Sequence, residues 1–147
     1  MTSDMTRFVD SVAECDERVD VNVAFKKDEQ GLTYFSGSIS TSASLVCERC
    51  GGQLAQPLQI DFCFTPIKSE SEIEELPEIY DPLEVDDHGE IDILQIVEDE
   101  LILALPIVAF HAEEDCSVTQ EELSFGNVGP ENEKPNPFAV LKELKQK

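Results

Sequence analysis

Two cysteines separated by two residues, Cys47 and Cys50, are the side chains of this sequence best suited to hold a metal ion or to form a disulfide. They supply only two of the four nitrogen or sulfur ligands that zinc takes in a tetrahedral site. His111 and Cys116 form the only other closely spaced imidazole–thiol pair. We therefore predict a four-ligand site built from Cys47, Cys50, His111 and Cys116, with zinc as the candidate cofactor.

The remaining cysteines fit this site less well. Cys63 lies in a predicted strand, about 12 residues or on the order of 35–40 Å from the paired cysteines. Cys15 is remote in sequence and has no assigned role. A redox use of the Cys47–Cys50 pair is an alternative, although thiol–disulfide enzymes place such a pair at a helix N-terminus, where the thiol pKa is lowered. Here the flanking residues predict strands, and Glu48 between the thiols opposes thiolate formation.

The charge of the chain favours basic partners. Among its 147 residues, 32 Asp and Glu face 10 Lys and Arg, which gives a formal net charge of −22. Such a surface repels nucleic acid phosphates and attracts basic proteins. The stretch from Ser69 to Glu100 carries 14 acidic residues and neither Lys nor Arg. This run predicts a solvated anionic face.

Other features point to a cytoplasmic protein without a membrane segment. Met1 to Asp10 lacks the apolar region of a signal peptide, and no apolar run is long enough to span a bilayer. An odd count of five cysteines argues against a disulfide framework. The sequence has no nucleophile-elbow, phosphate-loop or dinucleotide-binding pattern, so we predict neither an enzyme nor a small-molecule substrate.

The first half of the chain predicts an antiparallel sheet, because apolar and polar residues alternate in several short segments. These segments are Val19–Phe25, Leu32–Phe35 with Ser38–Val46 as one bent strand interrupted at Gly37, and Leu54–Phe64. The last two place the cysteine pair at the tip of a protruding hairpin. Met5–Ala13 is a candidate short helix.

A longer helix is predicted from Ile91 or Asp92 to Leu105, capped by Asp92 and ended by Pro106. On a helical wheel its apolar residues fill one broad arc, while Glu98 and Asp99 lie on the opposite arc. Glu100 falls on the apolar side. A carboxylate there must find a partner or become protonated. Two kinds of partner remain open: an external cation, or an internal contact with Arg49 or backbone N–H groups.

The predicted fold class is therefore α+β: an antiparallel sheet with a CxxC hairpin, one long packed helix and a short C-terminal helix. Residues 1–147 are predicted as a single domain. Within it, residues 68–80 form an acidic loop, 112–136 an irregular segment, and 137–146 the C-terminal helix, which begins at Asn136-Pro137.

Several stretches resemble the YceD family, the large ribosomal RNA subunit accumulation proteins of bacteria, most closely its gammaproteobacterial branch. They are Leu45–Gly51, Phe62–Pro66, Leu76–Pro106 and Lys134–Leu141. The resemblance runs from about Thr6 to the C-terminus, and its densest part includes Gly89–Asp92 and Val97–Glu100. Some relatives carry further cysteines after the helix end, where this chain has His111 and Cys116. Related chains usually begin with an additional segment that includes an opening strand.

The resemblance implies a non-enzymatic factor for the synthesis, processing or accumulation of large-subunit ribosomal RNA. Together with the charge distribution, it favours binding of a basic ribosomal protein or large-subunit assembly factor, with ribosomal RNA contacted indirectly. The candidate partner-binding residues are Arg49, Glu90, Asp92, Glu98, Asp99 and Glu100. Two alternatives stay open: direct RNA binding through the hairpin tip and Arg49, and a zinc- or redox-responsive regulator.

Overall fold

The computed structural model describes residues 2–119, 122–123 and 126. The chain divides into two units, Met1–Ser117 and Val118–Lys147, and all strands and helices named below belong to the first. The predicted C-terminal helix, 137–146, and most of the irregular segment, 112–136, lie outside the described residues. The prediction of a single domain stays a prediction. None of the described helices is long and apolar enough to cross a membrane.

Five strands and two α-helices confirm the α+β fold class. The strands are β1 Glu14–Cys15, β2 Asp20–Lys27, β3 Thr33–Val46, β4 Gln53–Ile67 and β5 Asp81–Glu84; the helices are α1 Thr6–Ser11 and α2 Ile93–Leu103. Short 3-10 turns occupy Thr2–Asp4, Glu70–Glu75 and Glu113–Asp115.

The sheet is mixed, whereas an antiparallel sheet was predicted. Strand β3 lies at its centre and pairs antiparallel with β4 on one side and with β1 and β2 on the other. The edge strand β5 pairs parallel with β4, from Phe64↔Asp81 to Ile67↔Glu84. A parallel neighbour needs a crossover of a dozen or more residues. The acidic segment 68–80, predicted as a loop, provides that crossover.

One face of the sheet carries the core. The buried residues of β3, among them Phe35 and Ile39, are all odd-numbered, and these two pack with Phe8 of α1 and with Val97 and Leu101 of α2. Because successive side chains of a strand point to opposite faces, the even-numbered residues of β3 form a second face. Five of them are serines, namely Ser36, Ser38, Ser40, Ser42 and Ser44. The alternation of apolar and serine residues therefore selects which face the helices cover.

Gly37 does not interrupt the central strand, so the predicted interruption there was wrong. Residues 33–46 form one continuous strand, and Gly37 pairs with Val23 and Phe62. A Cβ atom at this position would overlap the backbone carbonyl oxygen of Asn22 and the ring of Phe62. Glycine is needed here because the backbone and an aromatic ring approach closely, which is a common reason for glycine inside a strand.

Helix α1, predicted as Met5–Ala13, is joined to α2 through Glu98. The carboxylate of Glu98 accepts hydrogen bonds from the backbone N–H groups of Arg7 (2.7 Å) and Phe8 (3.2 Å). It also binds the guanidinium of Arg7 at 2.8 Å. The wheel placed Glu98 on the solvent arc, but the residue is only 8% exposed. That placement was wrong because the wheel assigns one buried arc, facing the sheet, to the helix, whereas α1 covers a second side of α2.

Candidate metal centre

The structure brings Cys47, Cys50, His111 and Cys116 together. Their ligand atoms all lie within 4.8 Å of one another. Strands β3 and β4 pair as far as Val46↔Gln53, so the two paired cysteines belong to the connection between these strands. His111 and Cys116 come from the segment that follows α2. The four residues selected by spacing alone are thus neighbours in the fold.

The β3–β4 connection holds its two cysteines in a tight turn. The N–H of Cys47 donates to the carbonyl of Gly52 at 2.8 Å, and the N–H of Gly51 donates to the carbonyl of Cys47 at 2.8 Å. Gly51 has a φ of 71°, in the left-handed region that glycine enters without a steric penalty. The glycines after the second cysteine are therefore part of the site, since they allow the chain to turn back into β4.

The segment after α2 is fixed to the same turn. The N–H of Glu48 donates to the carbonyl of Ala109 at 2.9 Å, and Ala109 is buried. Two residues later, the N–H of His111 contacts the Sγ atom of Cys47 at 3.4 Å. The 3-10 turn Glu113–Asp115 then returns the chain to Cys116. The sequence contained no signal for the contact through Ala109, which aligns the two halves of the site.

The imidazole of His111 is oriented for metal binding. Its Nε2 lies 2.9 Å from the carbonyl oxygen of Gln53. Because a carbonyl only accepts hydrogen bonds, Nε2 carries the proton and donates it there. In the neutral ring the lone pair is then on Nδ1, which lies 3.3 Å from the Sγ atom of Cys50. Metal-binding histidines commonly donate their second N–H to a carbonyl in this way.

The electrostatics favour thiolates within the cluster. For Cys47, burial alone would raise the pKa, but backbone N–H groups of His111, Cys50 and Arg49 lower the pKa to about 6. For Cys50, a hydrogen bond from the backbone of Gly52 is the main cause of a lowered pKa. Thiolate is the form of cysteine that binds metal ions. The turn therefore prepares both side chains for coordination.

The other two cysteines have the opposite environment. Burial raises the pKa of both Cys15 and Cys63 above the ordinary thiol value. Cys63 pairs with Ser36, well along the strands from the β3–β4 connection, and Cys15 pairs with Ala43. Neither belongs to the cluster of ligand atoms.

The dimensions of the cluster fit zinc. At zinc bond lengths, a tetrahedral site separates two sulfur atoms by about 3.8 Å and a sulfur from a nitrogen by about 3.6 Å. The Sγ atom of Cys50 lies 3.3 Å from Nδ1 of His111, and no two ligand atoms of the cluster are more than 4.8 Å apart. These distances are within about 1 Å of the tetrahedral values. Three thiols and one imidazole are a common ligand set of structural zinc sites. Small side-chain movements would close the site around the ion.

The predicted partner-binding residues do not form one group. Glu90, Asp92 and Asp99 line a groove of about 710 Å³ between β5 and the beginning of α2. Glu98 is buried against α1 and cannot present its carboxylate to a partner. Asp92 also caps α2, as predicted, because it accepts from the N–H groups of Leu94 and Gln95.

Glu100 and Arg49 have separate surroundings. Glu100 is half-buried, and its pKa is raised by burial and by the charges of Asp81 and Asp99. Arg49 instead contacts the carbonyl of His111 and the Sγ atom of Cys116. The proposed internal contact between Glu100 and Arg49 is therefore absent from the described part of the chain.

Fold and site together define a small α+β protein with a preformed cluster of three cysteines and one histidine. The model of one family, "Large ribosomal RNA subunit accumulation protein YceD", matches residues 35–145. The chain is also similar to the protein of that name from Haemophilus influenzae, at 42% identity over 145 residues, which cover 97% of this chain and 83% of the relative. The chain therefore belongs to the YceD family. No solved structure matches it. The family description names an accumulation protein and no reaction.

Proposed function

We propose that this protein is a non-enzymatic factor for the accumulation of large-subunit ribosomal RNA, and that it acts by holding a basic ribosomal or assembly protein. The family match over residues 35–145 is the observation that carries the first part. The groove between β5 and α2 supports the second part, because its composition suits a cationic protein segment. RNA would then be protected or positioned indirectly.

The groove is lined by apolar and by acidic side chains. The apolar ones are Leu83, Ile91, Ile93, Leu94 and Ile96, and the acidic ones are Glu84, Asp86, Glu90, Asp92 and Asp99. Lys and Arg side chains can lay their aliphatic stems on an apolar surface while their charged ends reach polar groups. A segment rich in these residues therefore matches both kinds of side chain in the groove.

Two of the acidic side chains that line the groove are held in place by backbone N–H groups. Asp86 accepts from the N–H groups of His88 (2.9 Å) and Glu90 (2.7 Å). Asp92 accepts from Leu94 at 2.9 Å. Because these side chains are ordered before a partner arrives, binding loses less conformational entropy. The carboxylates of Glu84 and Glu90 have no hydrogen bond in the described part of the chain and are the natural positions for testing the charge.

The test is charge reversal at the groove. A Glu84→Lys/Glu90→Lys variant is compared with Glu17→Lys/Glu29→Lys, which makes the same change in net charge at exposed residues outside the groove. The immobilised proteins are incubated with proteins extracted from purified large subunits, and in parallel with ribosomal RNA stripped of protein. We expect the groove variant alone to lose capture of basic proteins and to fail in restoring large-subunit RNA in cells that lack the gene.

Ionic strength provides the second arm of this experiment. Raising it from about 0.1 M to about 1 M shortens the Debye length from about 10 Å to about 3 Å, so capture by charge should fall steeply. Capture that ignores salt, equal loss in both variants, or retention of naked RNA without protein would each contradict the proposed mechanism. Normal large-subunit RNA in cells without the protein would contradict the function itself.

We further propose that zinc occupies the cysteine–histidine cluster as a structural ion. The four convergent ligand atoms are the observation that favours it. Bound there, zinc would link the β3–β4 connection to the segment after α2. About 60 residues of chain separate these two parts, and bringing the ends of such a loop together has an entropic cost that the metal bonds would offset. Its role is to hold these segments together, and no reaction is assigned to it.

Metal analysis tests the zinc proposal. Protein purified without chelator should contain one zinc per chain, and a Cys50→Ser/His111→Ala variant should contain none. Cys63→Ser is the matched control, because it removes a thiol outside the cluster and should leave the zinc content unchanged. Less than about a tenth of an equivalent in the unmodified protein, after growth with ample zinc, would retire the proposal.

A further inference from the structure

We propose that Arg49 is a positioning residue of the cysteine–histidine centre. Its side chain holds the two ligands after α2, His111 and Cys116, in place and offsets the negative charge of the metal-bound site. This inference rests on the zinc part of the proposed function. It assigns to Arg49 a different role from the partner-binding or RNA-binding role that its position at the end of a hairpin predicts.

The contacts of Arg49 converge on a single segment. Its Nε donates to the Sγ atom of Cys116 at 3.1 Å, and one terminal nitrogen donates to the carbonyl of His111 at 2.9 Å. The guanidinium carbon also lies 6.0 Å from the centre of the Phe110 ring. One side chain of the β3–β4 connection thus touches both ligand-bearing residues of the other half of the site. The planar guanidinium makes these contacts simultaneously because its donors are fixed in a fork.

Charge gives Arg49 a second task. Zinc with three thiolates and a neutral imidazole carries one negative charge in excess. The surrounding chain is already strongly acidic, with a net charge of −22, and Glu48, Glu113 and Glu114 lie close in sequence to the ligands. A guanidinium hydrogen-bonded to one of the thiolates offsets the excess charge where it arises. No other Lys or Arg among residues 2–119 has a described hydrogen bond to the four ligands.

The same contacts weaken the case for RNA binding through this residue. Arg49 is partly buried, and the two donor groups just described are already used within the protein. The exposed charges next to Arg49 and to the ligands His111 and Cys116 in sequence, Glu48 and the turn Glu113–Asp115, are acidic. Affinity for phosphates depends on available Lys and Arg side chains. A single engaged guanidinium among carboxylates does not supply them.

The experiment measures metal affinity in three variants of the full chain. Arg49→Gln removes the charge and the fork, Arg49→Lys keeps the charge alone, and Arg18→Gln is the control at an exposed arginine without a described side-chain contact. Zinc affinity is obtained by competition with a chelator of known affinity. Cobalt is added as a spectroscopic probe, because its thiolate charge-transfer bands report the sulfur environment.

We expect Arg49→Gln to bind zinc about 10- to 100-fold more weakly than the unmodified protein, as is typical when a group that supports a ligand is removed. Arg49→Lys should lie in between, Arg18→Gln should be unchanged, and the cobalt bands should shift only in the Arg49 variants. Equal affinities and spectra for the unmodified protein and Arg49→Gln would overturn this inference while leaving the zinc proposal intact. A protein that binds no zinc at all would remove both.

RNA binding gives an independent comparison. If Arg49→Gln loses binding of ribosomal RNA while its zinc affinity and cobalt spectrum match the unmodified protein, Arg49 serves RNA, and the assignment made here is wrong. Should Arg49→Gln fail to fold, the Arg49→Lys variant alone decides the matter. Its unchanged zinc affinity together with unchanged cobalt bands would show that the fork contacts to Cys116 and His111 do not support the metal.

Discussion

Two glutamates of α2 offer the sharpest test of the packing between the helices, because they lie two residues apart and have opposite surroundings. Glu98 accepts two backbone N–H groups of α1 and binds Arg7. Glu100 is half-buried near Asp81 and Asp99, and no described donor faces it. The perturbation is Glu98→Gln in one variant and Glu100→Gln in another. Each removes one negative charge and keeps the shape of the side chain.

The expected loss of stability in the Glu98→Gln variant follows from the hydrogen bonds that Glu98 accepts. Hydrogen bonds to a charged group contribute roughly 1.5–3 kcal/mol, against about 1 kcal/mol for neutral pairs. Two backbone donors at 2.7 and 3.2 Å are affected, while the bond to Arg7 counts little because that side chain is 52% exposed. We therefore expect the free energy of unfolding to fall by about 1–3 kcal/mol at pH 7.

The variants should also differ in their pH dependence. Burial alone would raise the pKa of Glu98, but the N–H donors of Phe8 and Arg7 and the guanidinium of Arg7 lower the pKa overall. A lowered native pKa contributes stability above the unfolded pKa of about 4.3, and this contribution disappears as the pH falls through the native pKa. The difference in the free energy of unfolding between the unmodified protein and Glu98→Gln should therefore become smaller in acid.

For Glu100 the sign is reversed. Burial, together with the charges of Asp81 and Asp99, raises its pKa, so ionisation destabilises the native state at neutral pH. The destabilisation begins as the pH rises through the unfolded pKa and is complete above the native pKa. Glu100→Gln should therefore be more stable than the unmodified protein at pH 7, by about 0.5 kcal/mol, and should gain nothing in acid.

Urea unfolding at pH 7 and at a series of lower pH values down to about pH 3 measures these differences. Far-UV circular dichroism is the suitable signal, because the chain has no Trp. If Glu98→Gln is as stable as Glu100→Gln at pH 7, then the contact between α1 and α2 does not depend on the Glu98 carboxylate. The assignment of opposite environments would then be refuted.

Three further changes test other parts of the structure. Gly37→Ala should destabilise the protein by about 1–3 kcal/mol in the same urea assay, because the added methyl group overlaps the carbonyl of Asn22; an unchanged midpoint would contradict the close approach. Asp92→Ala should cost about 1 kcal/mol through loss of the α2 cap, and Asp92→Asn should recover most of it. In the metal-free protein, thiolate absorbance should show a transition near pH 6 that changes in Cys47→Ser but is kept in Cys63→Ser.

Much of the fold follows from local sequence patterns. Alternation of apolar and polar residues identified β2, β3 and β4, and the span from Asp92 to Pro106 identified α2, because these signals depend on neighbouring residues. The grouping of Cys47, Cys50, His111 and Cys116 was also predicted from the sequence, because cysteine and histidine are scarce in this chain and their spacing restricts the choices; that these four residues bind a metal stays a prediction. What the sequence shows well is the periodicity and the residue types.

The remaining features depend on contacts between distant residues. Strand β5 has only four residues and joins the sheet through a crossover, so neither its length nor its parallel direction is visible locally. The burial of Glu98 depends on α1, which lies about 90 residues earlier in the chain. A helical wheel assigns one buried arc to a helix, and therefore misplaces a carboxylate that faces a second packing partner.

The position of α2 connects the two candidate sites. Its first turn forms one wall of the acidic groove, and the chain leaving its last turn carries His111 and Cys116 into the centre. The segment between is held to the hairpin by the Ala109 carbonyl and by the contacts of Arg49. A metal ion at the centre would therefore anchor α2 indirectly at both ends. The last turn would be anchored through the segment that follows the helix, and the first turn through the sheet on which the helix packs. Such a metal ion would thereby fix the α2 wall of the proposed binding groove without enlarging a small core.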